Sequence, residues 1–229
     1  MRLTSFCILV FFGLFLDSDA MTVDGQLLTG DTSAPVKQIN NNSLIYTGPE
    51  YSKVYTSASG NPFFRDQAIR GWVNYFDNRY EDISLYYDIE TDWLIYYEPV
   101  NQIRISLVNE KVDGFMIDGH RFITLKDATG FRGFYEILYQ GRRLVLVKWF
   151  KILTRTGAEE GKYITYSNVY IQDSTTVQQV SNRKGLFNYF GSSNKKKLQQ
   201  YYQDQHMNYK KEPAHTVSAI VSWAEKNGF

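Results

Sequence analysis

The chain has 229 residues, with 25 Lys and Arg against 24 Asp and Glu and aromatic side chains at 16% of positions. The net charge is small but unevenly placed, and no nucleic-acid partner is expected, since a chain with an export signal rarely meets one. The single cysteine, Cys7, excludes a disulfide framework.

Arg2 precedes the apolar run "FCILVFFGLFL" (6–16), and "DSDA" follows with small Ser18 and Ala20 at the spacing of a cleavage site. A membrane-spanning helix needs about 20 apolar residues, so this shorter run reads as a signal peptide over 1–20, cleaved near Ala20. The expected product is exported, periplasmic or extracellular, and not membrane-spanning. Without Cys7 the mature chain has no thiol for catalysis, and no cofactor or metal site is expected.

Residues 21–45 are rich in Gly, Ser, Thr and Asn and read as a flexible lead-in; 47–66 read as irregular or edge-like. The expected β domain covers 46–181. In "EDISLYYD", Ile83, Leu85, Tyr87 and Ile89 alternate with Asp82, Ser84, Tyr86 and Asp88, the period-2 signature of a half-buried strand. "DIETD" (88–92) turns the chain into "WLIYYE" (93–98). The alternation places Trp93 and Ile95 with the core set, and Tyr86 and Tyr96 on the opposite face. "QIRISL" alternates again, Ile103, Ile105 and Leu107 against Gln102, Arg104 and Ser106. Asp118-Gly119 between apolar runs is a strong hairpin signal. A second hairpin is expected around Gln140-Gly141-Arg142, and "GAEEGKYITYSNVYIQD" supplies one more turn and strand. Strands joined by short turns, with no helix between them, predict an α+β fold: an antiparallel meander, curved or barrel-like, followed by two or three short C-terminal helices.

The helical segment is expected over 182–229, packed on the sheet or tethered through a hinge near 174–183. Its stripes are Leu186/Tyr189/Phe190, then Leu198/Tyr201/Tyr202, then Val217/Ile220/Val221/Ala224 after Pro213. This end carries eight Lys and Arg against three Asp and Glu. Lys195, Lys196, Lys197, Lys210 and Lys211 are the candidate patch for an anionic partner, a membrane surface included.

Chemical signatures are sparse. "DIETD" has the alternate carboxylates of a calcium loop, but Trp93 stands at the glycine position and Pro99 at that of the closing glutamate. His120, His206 and His215 form no zinc pattern. Tyr86, Trp93 and Tyr96, near carboxylates, are the candidate ligand-binding residues.

The stretches "RGFYEILYQGRRLVLVKWFKIL", "GFMIDGHRFITL" and the tail "MNYKKE…HTVSAIVSWAEKNG" resemble a group of uncharacterised secreted proteins from Bacteroidota. The resemblance implies an envelope location, a strand-rich body and a helical tail, without an activity or site residues. The expectation is a non-enzymatic cell-envelope interaction module whose partner is another envelope protein or a glycan. The alternatives are a carbohydrate-binding module and a small hydrolase.

Overall fold

The computed structural model describes residues 44–53, 58–125, 131–155, 161–174 and 176–229. The expected signal peptide and nearly all of the lead-in lie outside them. Among the described residues no helix is long and apolar enough to cross a membrane.

The strands are β1 (Ala58–Ser59), β2 (Ile69–Tyr75), β3 (Asn78–Asp88), β4 (Trp93–Glu98), β5 (Ile103–Ser106), β6 (Val112–Ile117), β7 (His120–Leu125), β8 (Gly133–Gln140), β9 (Leu144–Thr154), β10 (Gly161–Gln172) and β11 (Val177–Val180). The helices are α1 (Arg183–Tyr189), α2 (Lys195–Asp204) and α3 (Pro213–Lys226). One sheet runs β1-β10-β9-β8-β7-β6-β2-β3-β4-β5, with β11 also on β10, and its path is open. Every pairing is antiparallel except the short β1–β10 contact.

The turns explain the register. Ile117 pairs with His120 across Asp118-Gly119. Both turn residues have positive φ, 52° and 76°, as a two-residue hairpin requires. Gln140 pairs with Leu144 across the other expected hairpin. Between β3 and β4, Asp88 pairs with Trp93, which leaves a four-residue turn. That turn sets Leu85 opposite Tyr96 and Tyr87 opposite Leu94. The expected facing of β4 is thereby corrected. Leu94 and Tyr96 join Leu85 and Tyr87 in the inner core, while Ile95 packs with Tyr86 on the outer side. Because side chains alternate strictly, a one-residue difference in turn length inverts a whole strand.

The sheet curls strongly. Tyr87 of β3 meets Phe115 of β6, Phe122 of β7 and Phe134 of β8 at ring-centroid distances of 5.3, 5.2 and 5.7 Å. Lys151 N–H of β9 donates to the Ile89 carbonyl just beyond β3 at 3.2 Å, so these two strands, far apart in the sheet order, approach without forming a ladder. Edge-to-face rings fill the interior, each pair adding about 0.5–1.5 kcal/mol beyond area burial. Ile45, within the expected lead-in, is buried in this core, so the packed body begins earlier than the composition indicates.

The remaining concave surface, on β9 and β10, is covered by the helices. Val145, Val147, Val169 and Ile171 pack against Leu186, Leu198, Val217, Ile220, Val221 and Ala224. The tail is therefore docked. The segment read as a hinge contains β11, whose Val180 pairs with Val169 and enters the same core.

Candidate functional site

The outer face of β3–β5 carries a cluster of polar and aromatic side chains directed away from the core. Arg104 lies opposite Tyr97 on adjacent strands. Against the β5 edge runs the segment Gly48–Tyr51, held by Tyr51 N–H to the Arg104 carbonyl at 2.7 Å and Ser106 N–H to the Pro49 carbonyl at 2.9 Å. A β-carbon at Gly48 would collide with the Ser106 carbonyl, so only glycine permits this approach. Glu50, Tyr51, Tyr97, Gln102 and Arg104 together line an open depression of about 260 Å³.

Buried acids hold its walls. Tyr51 donates its hydroxyl to Asp88 Oδ2 at 2.7 Å, and Asp88, fully buried, accepts Glu90 and Thr91 N–H through Oδ1 at 2.9 and 3.1 Å. Glu98 accepts Val100 N–H at 2.9 Å and Asn101 N–H at 2.7 Å, bracing the β4–β5 turn. These backbone donors, Asn101 first, hold its carboxyl below the usual carboxylate range. In the same turn Gln102 has φ +58°, a conformation glycine or asparagine adopts more easily. A long polar side chain is thus retained at a strained position, the kind of expense that gathers at ligand clamps.

Glu98 gives a first expected result. Its depressed folded value means that its stabilisation is complete above the unfolded value, 4.5, and is lost as pH falls through the folded one. The Val100 and Asn101 amide resonances should titrate together with a midpoint below 4.5, and Glu98→Gln should abolish the step. A midpoint at or above that value would contradict the brace.

The candidate trio is divided. Tyr86 lies on the outer face, but its ring packs on Phe63 at 4.6 Å and beneath the Arg104 guanidinium at 5.0 Å. It supports Arg104 rather than offering a free platform. Trp93, 45% exposed, flanks the depression through an edge contact with Tyr51 at 6.4 Å. Tyr96 is on the inner face, packed on the core and edge-on to Tyr46 at 5.7 Å. Burial and the Tyr46 hydroxyl push its phenol well above the ordinary range. Glu50, Tyr51, Tyr97, Gln102 and Arg104 were absent from the sequence candidates. The polar parity of "QIRISL" marks Gln102 and Arg104, whereas nothing local places Glu50 and Tyr51 beside them.

The lysine patch is spread out. Lys195, Lys196 and Lys197 fill the first turn of α2 and are exposed, as are Lys210 and Lys211 before α3. Lysines at a helix N-terminus oppose the helix dipole. Lys197 also covers the Phe229 ring at 5.3 Å.

The histidines are accounted for. His120 Nδ1 lies 2.6 Å from Glu136 Oε1, its Nε2 lies 2.8 Å from an Arg65 guanidinium nitrogen, and Glu136 Oε2 accepts Trp149 Nε1–H at 2.6 Å. With both ring nitrogens engaged and Phe64 edge-on at 5.0 Å, this chain of polar groups ties β7, β8 and β9 together. His215 lies 3.7 Å from Glu212 on one turn of helix, and His206 closes α2. Among the described residues no three His, Cys, Asp or Glu converge as metal ligands.

No family model matches the chain, and neither a curated protein nor a solved structure is significantly similar to it.

Proposed function

We propose that the protein is an exported, non-enzymatic interaction module of the cell envelope that binds a glycan on the outer face of β3–β5. One observation carries the reading. Around the depression, the polar ends of Glu50, Tyr97, Gln102 and Arg104 make no hydrogen bond or ion pair with other described residues, beside the exposed ring of Trp93. Sugars present this combination of needs: flat C–H faces that pack on rings, and vicinal hydroxyls that accept from a guanidinium and donate to a carboxylate. A carboxylate and a guanidinium together suit neutral hydroxyl pairs. Export rests on the signal-like N-terminus, and the envelope location on the resemblance to secreted Bacteroidota proteins.

The hydrolase alternative finds less support. His120 has both nitrogens committed, and its partner Glu136 is buried beneath Trp149 and Phe122 rather than set in a cleft.

A glycan array followed by calorimetry on the best ligand tests the proposal. Trp93→Ala, Tyr97→Ala and Arg104→Ala should each weaken binding by about tenfold, the worth of one stacked ring or one good hydrogen-bonded pair. Tyr96→Phe, altered on the inner face, should leave binding unchanged. An array without a ligand that depends on these outer residues would end the reading.

A further inference from the structure

A second surface lies at the opposite margin of the sheet. β10 is paired with β9 from Lys162 to Gln172. On its other side it meets β1 only at Gly161 and Lys162, and β11 only from Val169 to Gln172. The backbone of Ile164, Thr165, Tyr166, Ser167 and Asn168 therefore has no partner strand there among the described residues.

Natural sheets blunt such edges with lysine, proline or a bulge. This stretch has none of them. Its pairing to β9 runs without a register shift, and Ile, Thr and Tyr favour the extended state. The exposed face beside it is apolar. Ile164 lies opposite Ile152, at 37% and 49% exposure, and Tyr166 stacks on Phe150 at 5.6 Å.

The flanking strands define what can enter. β1 and β11 already occupy the line of the missing strand and form a shoulder at each end of a five-residue slot. Two β10 edges cannot pair with each other, because β1 and β11 of each copy already lie in the line that the other's β10 would take, parallel or antiparallel. A single extended segment can enter the slot. Since Ile164–Asn168 carries no charge, complementarity calls for an uncharged segment, and the alternation of β10 calls for apolar side chains on its outward side. From the slot, the apolar pair and the shoulders, we infer that the protein captures an uncharged, extended segment of a partner polypeptide by strand addition between β1 and β11.

Such recognition draws affinity from main-chain hydrogen bonds and selectivity from alternate side chains. The site is separate from the outer face of β3–β5 and stands whether or not a glycan binds there.

The test uses the full mature chain and a fluorescent, N-acetylated Val-Thr-Val-Thr-Val amide. Fluorescence anisotropy should show saturable binding, and hydrogen exchange should show slowed amides confined to 164–168. Replacing the central valine with proline should weaken binding by about tenfold or more, since proline removes a donor and clashes within a ladder. Ile164→Lys and Tyr166→Lys should weaken it similarly. Both are exposed positions, so folding should persist, which circular dichroism checks. Equal binding of the proline peptide, indifference to both lysine variants, or no saturable binding at millimolar peptide would each overturn the inference. So would a dimer, seen by sedimentation, that the lysine variants dissolve, because a second copy would then occupy the edge.

Discussion

Asp88→Ala is expected to lower the unfolding free energy by about 3–5 kcal/mol, the range for removing one member of a buried, hydrogen-bonded charged cluster. Asp88 is fully buried and accepts three hydrogen bonds, from the Tyr51 hydroxyl and from Glu90 and Thr91 N–H, with Lys53 Nζ 3.5 Å away. Alanine removes the acceptor that the Tyr51 hydroxyl and the two turn amides share, which costs more than the net worth of the bonds themselves. Urea denaturation should show a lower midpoint at an unchanged slope. Tyr51→Phe separates the contributions: it removes one hydrogen bond, keeps the ring, and should cost about 1 kcal/mol. Glycan binding should fall with Asp88→Ala, because Tyr51 forms a wall of the depression, and persist in Tyr51→Phe. If Asp88→Ala cost less than Tyr51→Phe, the acid would not be organising this corner.

Asp88 also shows where sequence reading stops. Its place at the end of β3 was visible from the alternation of "EDISLYYD", but a period-2 pattern says nothing about a hydroxyl arriving from residue 51. The same limit governs the candidate ligand residues. Tyr86 lies on the outer face as the alternation predicts, and Trp93, expected on the core face, lies on the outer face as well. Tyr96, expected beside Tyr86, lies on the inner face; both β4 residues are reversed, because the facing of β4 depends on whether its turn has four residues or five, and "DIETD" is consistent with either. Hairpins with strong turn chemistry were legible, as at Asp118-Gly119, since only a few backbone conformations reverse the chain in two residues. So was the helical tail, expected as two or three helices and found as three, whose residues Leu186, Phe190, Leu198, Val217, Ile220, Val221 and Ala224 enter one core. β11 was hidden because "VQQV" is too short and too polar to alternate visibly. The gap it leaves on β10 was equally invisible, since an unpaired edge is a property of neighbours and has no signature in the strand itself. Arg104 and Gln102 were written in the sequence as the polar parity of β5. Their meeting with Glu50 depends on a segment some fifty residues earlier, folded against the strand edge at Gly48.

The helices are joined to the sheet by a half-buried acid, whose loss should also be costly. Glu225 of α3 reaches the β8–β9 hairpin, where Oε1 accepts Arg143 N–H at 2.7 Å and Oε2 accepts Arg142 N–H and the Tyr139 hydroxyl, each at 3.0 Å. The Arg143 guanidinium lies 3.5 Å away and also donates to the Phe229 carbonyl at 3.0 Å. Burial pushes the Glu225 carboxyl upward, but these donors and the Arg143 charge together outweigh it, so its pKa settles below the ordinary value of 4.5. A depressed folded pKa means stabilisation that is complete above the unfolded value and lost as pH falls through the folded one. Glu225→Ala should therefore cost about 1–3 kcal/mol at pH 7, as expected for several charge-assisted hydrogen bonds at a half-buried site. Apolar contacts of Val217, Ile220, Val221 and Ala224 should still hold α3 in place, so the loss should first appear as faster hydrogen exchange in α3 and at Arg142 and Arg143. The gap in unfolding free energy between Glu225→Ala and the parent should narrow progressively as the buffer is taken below pH 4.5, where the parent loses the same interactions by protonation. A gap constant from pH 7 into that range would mean that the carboxylate's charge contributes nothing, and that the tail is held by its apolar face alone.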